Sequence, residues 1–216
     1  MTAYTKASFI LMIFLCGKMT TASEKISPGN SENAGVRQVT ETDNMVLKPI
    51  FEFDKDSEPW QVINDGVMGG GLSSSRFSVA EGFACFQGSV SLENNGGFAS
   101  ARSQPQEHDL SPFQGVLLRV RGDGKRYALR LRNSSDFDGV SYQAHFVTVS
   151  GQWISLLLPF ESFKPVFRGR LVQNAEPLDL KSVKTFGFLI SDKQAGGFRL
   201  DISSVKAYLP ADEEDG

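Results

Sequence analysis

An all-β fold, an antiparallel β-sandwich of jelly-roll type, is what this chain predicts. Three observations carry it. Apolar residues between 49 and 210 recur with a period of two almost everywhere, and no helical period is sustained. The 17 Phe and 21 Gly, set against 4 Tyr, supply rings for a β-rich core and glycines for its turns. Turn signals break the alternating runs at short intervals, which is the pattern of a sandwich or a barrel. A length of 216 residues suits one core with tails.

Taken in order, residues 1–23 read as a secretory signal peptide. Lys6 precedes the apolar run Ala7–Gly17, and the small residues Thr20–Ser23 follow. The run is shorter than the ~20 apolar residues that span a bilayer. The expected address is secreted or periplasmic, with no transmembrane span in the mature chain. The alternative is a cytoplasmic or mitochondrial protein, should the leader not be a signal peptide. Residues 24–48 are polar and aperiodic and are expected to form a disordered linker. The sandwich domain is expected over 49–210, followed by an acidic tail at 211–216.

Within the domain, Ile50–Phe53 is a strand and Trp60–Ile63 is a short extended run. Arg76–Val79 and Phe83–Phe86 flank Glu81-Gly82 and predict a hairpin. Further strands are expected at Phe98–Arg102, Gly115–Arg121, Arg126–Arg132, Ser141–Val149, Trp153–Leu158, Thr185–Ser191 and Gly197–Tyr208. The one helical candidate is a turn at Glu161–Phe163 after Pro159. Alternation places Val116, Leu118 and Val120 on the core face and Arg119 and Arg121 on the other. Tyr127, Leu129 and Leu131 likewise oppose Arg130 and Arg132, while Tyr142, Ala144 and Phe146 oppose Gln143 and His145. Burying each Leu or Phe contributes about 1.5–3 kcal/mol. A slip of one residue would expose them all, so the register is firmly set.

Several runs resemble one known family. They include Asn64–Gly70, Ser73–Ser75, Phe86–Gly88, Gly96–Arg102 and Arg121–Tyr127, then Tyr142–Phe146, Leu158–Phe160, Arg168–Arg170, Gly187–Gln194 and Gly197–Ile202. By these the chain is similar to the complex I intermediate-associated protein 30 family. The resemblance covers almost the whole folded unit. It implies a galactose-binding-like β-sandwich akin to family 11 carbohydrate-binding modules. It also implies an assembly factor for respiratory complex I with no enzymatic activity. The leader, read as secretory, points elsewhere, so the fold follows from the resemblance more directly than the assembly role.

The charge and chemistry narrow the field. A net charge of −3 offers no basic field for nucleic acid. The two histidines, His108 and His145, sit in no metal-ligand spacing, and His108 reads as a solvated loop residue. Gly69–Gly71 lack the lysine and following helix of a phosphate-binding loop and read as a turn or a close backbone approach. Cys85, flanked by Ala84 and Phe86, reads as a small buried hydrophobe. Asp54, Asp56 and Asp201 are thin candidates for calcium against a reading as solvated carboxylates. No cofactor, metal or catalytic residue is expected.

One surface exceeds background. If the three central strands are neighbours, Arg119, Arg121, Arg130, Arg132, Gln143 and His145 share one non-core face. Guanidinium forks suit carboxylate, sulfate or phosphate groups, or an acidic peptide; the competing reading pairs them with local acids. Trp60, Met68 and Phe98, beside the glycine-rich turns, form a second candidate contact surface, although Trp60 also reads as a core ring. The expected function is a non-catalytic binding protein acting on a protein partner or assembly intermediate. The alternative is a secreted carbohydrate-binding module with an arginine-lined groove for an acidic glycan.

Overall fold

A computed structural model describes residues 35–39, 44–53, 59–80, 82–136 and 138–210, all within the unit that spans 31–216. The signal peptide and the acidic tail expected at 1–23 and 211–216 lie outside the described residues. Fourteen strands are present among the described residues. In chain order they are β1 (Arg37–Val39), β2 (Met45–Glu52), β3 (Gln61–Asn64), β4 (Ser74–Ala80) and β5 (Phe83–Val90). β6 (Ala99–Arg102), β7 (Gly115–Arg121), β8 (Arg126–Arg132), β9 (Ser141–Val147) and β10 (Trp153–Pro159) follow. The last are β11 (Lys164–Phe167), β12 (Arg170–Leu171), β13 (Thr185–Ile190) and β14 (Gly196–Pro210).

They form two antiparallel sheets. The first runs β1-β10-β7-β14-β5-β4, with β2 also paired to β14; the second runs β12-β11-β9-β8-β13-β6-β3. The 15-residue β14 organises the first sheet, pairing β5 through its first half and β2 through its second. The alternation read from sequence holds strand by strand. Val116, Leu118 and Val120 face inward from one sheet, and Tyr127, Leu129, Leu131 and Phe146 face them from the other, all at most 1% exposed. Where β14 meets β7 the register shifts between Ile202 and Ser204, an irregularity of the kind that adds twist to a strand.

Two expectations change here. The stretch read as linker contains β1 and the first half of β2: Arg37 pairs with Leu157, and Met45 with Pro210. Both are edge segments with most side chains exposed, so they lack the apolar alternation that marks a strand in sequence. The backbone ladder holds them instead. Second, β7 lies in the first sheet while β8 and β9 lie in the second, so the chain crosses between layers at Gly122–Lys125.

Trp60 is core. Only 9% exposed, it stacks on Phe77 at 4.7 Å and on Phe188 at 5.5 Å, with Phe51 edge-on at 5.2 Å. The partner-contact reading of Trp60 is thereby corrected: aromatic burial outweighs anything a loop surface would offer it. His108 is also not the solvated residue expected. Its ring packs against Phe51 and Phe186 at 6.0 and 5.4 Å. Burial and the neighbouring Lys48 hold its pKa below the ordinary value.

Candidate functional site

The outer face of the second sheet carries a groove of about 380 Å³. The register builds it. Gln61, Arg102, Gly187, Arg130 and Gln143 fall in one row across β3, β6, β13, β8 and β9. Arg132 lies in the next row, opposite Thr185. Arg102, Arg130, Arg132 and Arg168 line the groove with Asp138, and Ile63, Val67, Phe98 and Leu189 give it an apolar side. Gly187 forms the floor of a smaller notch beside the groove: a Cβ there would sit 3.0 Å from the Ala101 carbonyl oxygen and 3.8 Å from Cβ of Arg130. All six residues of β13 are buried, including those facing away from the core, because the arginine stems cover that face.

Two of these guanidinium groups, those of Arg130 and Arg132, are weakly compensated. Arg130 Nε donates to Gln143 Oε1 at 3.3 Å, and Arg132 Nη1 donates to the Gly139 carbonyl at 3.1 Å. Neither has a carboxylate partner among the described residues. Arg102 Nη1 reaches the Asp136 carbonyl at 3.5 Å. Burial, and then the positive charges of Arg132 and Arg102, push Arg130 down to about 10. Burial and Arg102 do the same to Arg132, also to about 10, with Asp138 working in the opposite direction. Asp138 is itself held below the usual carboxylate range, first by its hydrogen bond from Arg168. Arg132 is only 7% exposed, so its charge sits in a region of reduced dielectric.

One polar atom at this place is orphaned. Thr185 is 2% exposed, and its Oγ1 has no hydrogen-bond partner among the described residues. It lines a small notch over Gly187, between Arg102, Arg130 and Arg132. At the groove's far side His145 Nε2 lies 3.0 Å from Gln143 Nε2, and its Nδ1 lies 4.0 Å from Asp192, which also accepts from Arg126 at 3.1 Å.

The six residues expected on one face therefore divide. Arg130, Arg132, Gln143 and His145 share the second sheet, and the first three line the groove. Arg119 and Arg121 are on the outer face of the first sheet, because β7 pairs with β10 and β14. There Arg119 meets Ser155 at 3.3 Å. Arg121 donates twice to Asp201, at 3.0 and 2.8 Å, and lies over the rings of Trp153 and Phe83 at 4.8 and 5.6 Å. Asp201, also bound by Arg199 at 2.9 Å and 2% exposed, is committed to two arginines and does not suit calcium. Asp54 and Asp56 lie outside the described residues. Phe98 lines the groove; Met68 ends a 3₁₀ turn over Asp65–Met68.

Arg102, Arg168 and Thr185 were not singled out as site residues from sequence. Arg102 had a signal, the alternation with Ser100. The pairing of Asp138 with Arg168, 30 residues apart, had none.

The glycine-rich stretch proves to be a clasp. Asp65, 3% exposed, accepts from the backbone N–H of Ser73, Gly97 and Phe98 at 3.0, 2.7 and 3.3 Å, and from the Ser73 hydroxyl. Burial raises its pKa, but these four hydrogen bonds outweigh it and leave the carboxyl below its ordinary value. Gly71 and Gly96 are glycines because a Cβ would lie 2.3 Å from Asp65 Cγ and 2.7 Å from its Oδ2. The clasp ties the loop after β3 to the loop before β6 and so positions Val67 and Phe98 at the groove's apolar side.

In class this is a galactose-binding-like β-sandwich. It is similar to the family 11 carbohydrate-binding module of a cellulosomal cellulase from Clostridium thermocellum, with a TM-score of 0.59 and 15% identity over 79% of this chain and 98% of that one. That likeness concerns the fold. The chain belongs to the complex I intermediate-associated protein 30 family, whose model matches residues 50–202. It is 27% identical over 186 residues to the mouse protein named mitochondrial complex I intermediate-associated protein 30, covering 76% of this chain and 57% of the mouse protein. With the Drosophila melanogaster protein of that name, identity is 24% over 191 residues, 77% of this chain and 64% of the relative. The chain thus matches less than two thirds of the length of these relatives.

Those names overturn the secreted or periplasmic address. Both relatives are named mitochondrial. The stretch before Glu24 holds Lys6 and Lys18 and no acid, a balance that secretory signals share with acid-poor organellar presequences. Among the described residues no helix is long and apolar enough to cross a membrane.

Proposed function

We propose that this protein is a non-catalytic binding protein that takes part in the assembly of respiratory complex I in the mitochondrion. In this reading it holds a protein partner or assembly intermediate against the grooved face of its second sheet. The observation that carries the proposal is the family match over 50–202, which includes every strand that builds the groove. The groove supports a protein partner over a sugar. Among the described residues Phe98 is the one aromatic that lines it, whereas neutral sugars are held by stacking on exposed rings. Arg130 and Arg132, buried at their stems and weakly compensated, are the kind of group that anchors an interface.

The test is expression of the full chain with a C-terminal tag in its own cells, followed by fractionation and native electrophoresis. The expected result is a mitochondrial protein that comigrates with subunits of complex I. The double variant Arg130→Gln/Arg132→Gln is expected to lose that comigration. A chain found only outside mitochondria, or migrating alone at its monomer mass, refutes the proposal.

A further inference from the structure

We propose that the notch over Gly187 binds the phosphoryl group of a phosphate monoester. The inference rests on the reading of this face as a binding surface and adds the chemistry of what it takes. Four features meet there.

The first is the orphaned hydroxyl. A buried Oγ1 with no partner forfeits its hydrogen-bonding potential, and such atoms are rare enough in folded proteins to require an explanation. Thr185 is a β-strand residue whose side chain lines the notch. An acceptor oxygen entering the notch would satisfy it.

The second is the space. The notch holds about 10 Å³, close to what one small atom such as a water oxygen needs. It shares Ser100, Arg102, Arg130 and Arg132 with the 380 Å³ groove, so the remainder of a ligand has room next to it. A side chain in place of Gly187 would fill the floor, and the backbone there is not in the left-handed region, so space rather than conformation is what a glycine supplies.

The third is charge. Among the described residues that line the groove, Arg130 and Arg132 have only neutral hydrogen-bond partners, which leaves an excess of two positive charges. A phosphate monoester near neutral pH carries about −1.5 to −2. A carboxylate would balance only half of the excess.

The fourth is geometry. A carboxylate offers two oxygens and directs its lone pairs within one plane, where guanidinium forks meet it side-on. Three guanidinium groups and a hydroxyl converge here from β6, β8 and β13. A tetrahedral group with three terminal oxygens can direct one towards Thr185 Oγ1 and the others towards the arginines. The group binds intact; no bond is made or broken.

The experiment uses the isotope-labelled full chain, with amide shifts followed during titration by inorganic phosphate, O-phosphoserine and a phosphoserine peptide. Acetate and chloride at matched ionic strength serve as controls. Saturable shifts at Thr185, Gly187 and Ser100 with the phosphates, and not with acetate, are expected. Thr185→Val should weaken phosphate binding about tenfold, the loss expected for one hydrogen bond to a charged group. Its thermal midpoint should stay or rise, because the hydroxyl makes no bond in the folded protein. Arg130→Gln should weaken binding at least as much. A phosphoserine peptide binding at least ten times tighter than O-phosphoserine would assign the phosphoryl group to a partner's side chain; equal binding would assign it to a small molecule. Shifts equal with acetate, or a folded Thr185→Val variant that binds phosphate like the wild type, overturn the site. Comigration with complex I subunits without phosphate binding removes the phosphoryl site alone. Phosphate binding without comigration removes the partner reading and leaves the site.

Discussion

Replacing Asp65 by Ala removes the acceptor around which the glycine-rich loops close. Three backbone N–H groups, from Ser73, Gly97 and Phe98, and the Ser73 hydroxyl would then face a methyl group in a site that is 3% exposed. A stranded buried donor costs about 1–3 kcal/mol, and water entering the space offsets part of that, so the net loss should be about 3–5 kcal/mol. For a domain of this size, each kcal/mol moves the midpoint by about 2–4 °C, which gives a fall of roughly 6–20 °C. Gly71→Ala should also destabilise, since its Cβ would lie 2.3 Å from Asp65 Cγ and displace the carboxylate. The two changes are coupled: truncating Asp65 removes the Cγ and Oδ1 that the methyl at 71 would strike, while the Cβ left at 65 still lies 2.7 Å away, so the clash is eased in part and the double variant should be about 0.5–1 kcal/mol more stable than additivity predicts. Urea and thermal unfolding of the four proteins measure this. An Asp65→Ala loss below about 1 kcal/mol, or strict additivity, would refute the clasp as argued from these hydrogen bonds.

Four further outcomes are expected. Asp65 has a depressed folded pKa, so its contribution is complete above the unfolded carboxyl value of 3.8 and is lost as pH falls through the folded one. His108 is depressed likewise, so the unfolded chain binds its proton more readily; stability should decline as pH falls below the ordinary imidazole value of 6.5, and His108→Gln should flatten the thermal midpoint between pH 7.5 and 5.5, each limit being about one unit from that value. Cys85, 7% exposed and pushed up to about 11 by burial and then by Asp201, should resist a thiol reagent in the native protein and react fully once unfolded; rapid native labelling would contradict its placement. In a Trp153→Phe background, Trp60 fluorescence should be shielded from acrylamide, and Trp60→Ala should cost about 3–5 kcal/mol by chemical denaturation.

How much of this was legible beforehand depended on the range of the interaction. Side-chain direction in a strand is a local property with a period of two, so Val116, Leu118, Tyr127, Leu129 and Phe146 could be assigned inward from their spacing alone. The hairpin of β4 and β5 was equally local, and Arg76 pairs with Gln87 as the intervening turn requires. Edge segments were not legible. Arg37–Val39 and Met45–Pro49 are held by ladder hydrogen bonds to β10 and β14, and a ladder leaves no mark on side-chain chemistry.

The glycine-dense stretch between Trp60 and Arg102 was conspicuous in sequence, and its motif marked the family. What it does physically was hidden, because the residue that requires Gly71 and Gly96 to be glycines is Asp65, brought to them by loop closure. The candidate site divided along the same line. Which arginines leave the core face follows from alternation. Which sheet each joins is decided by strand pairing, and Arg121 finds Asp201 80 residues away while Arg130 remains beside Gln143, 13 residues away. By itself the sequence determined an all-β sandwich, its inward face and its family. Only the tertiary structure decided that Arg119 and Arg121 lie on one sheet, the latter neutralised by Asp201, and that Arg130 and Arg132, joined by Arg102 and an orphaned Thr185, surround a notch on the other. The reason is that charge compensation depends on distance through space, and the alternation of a strand carries no information about the strand that will lie next to it.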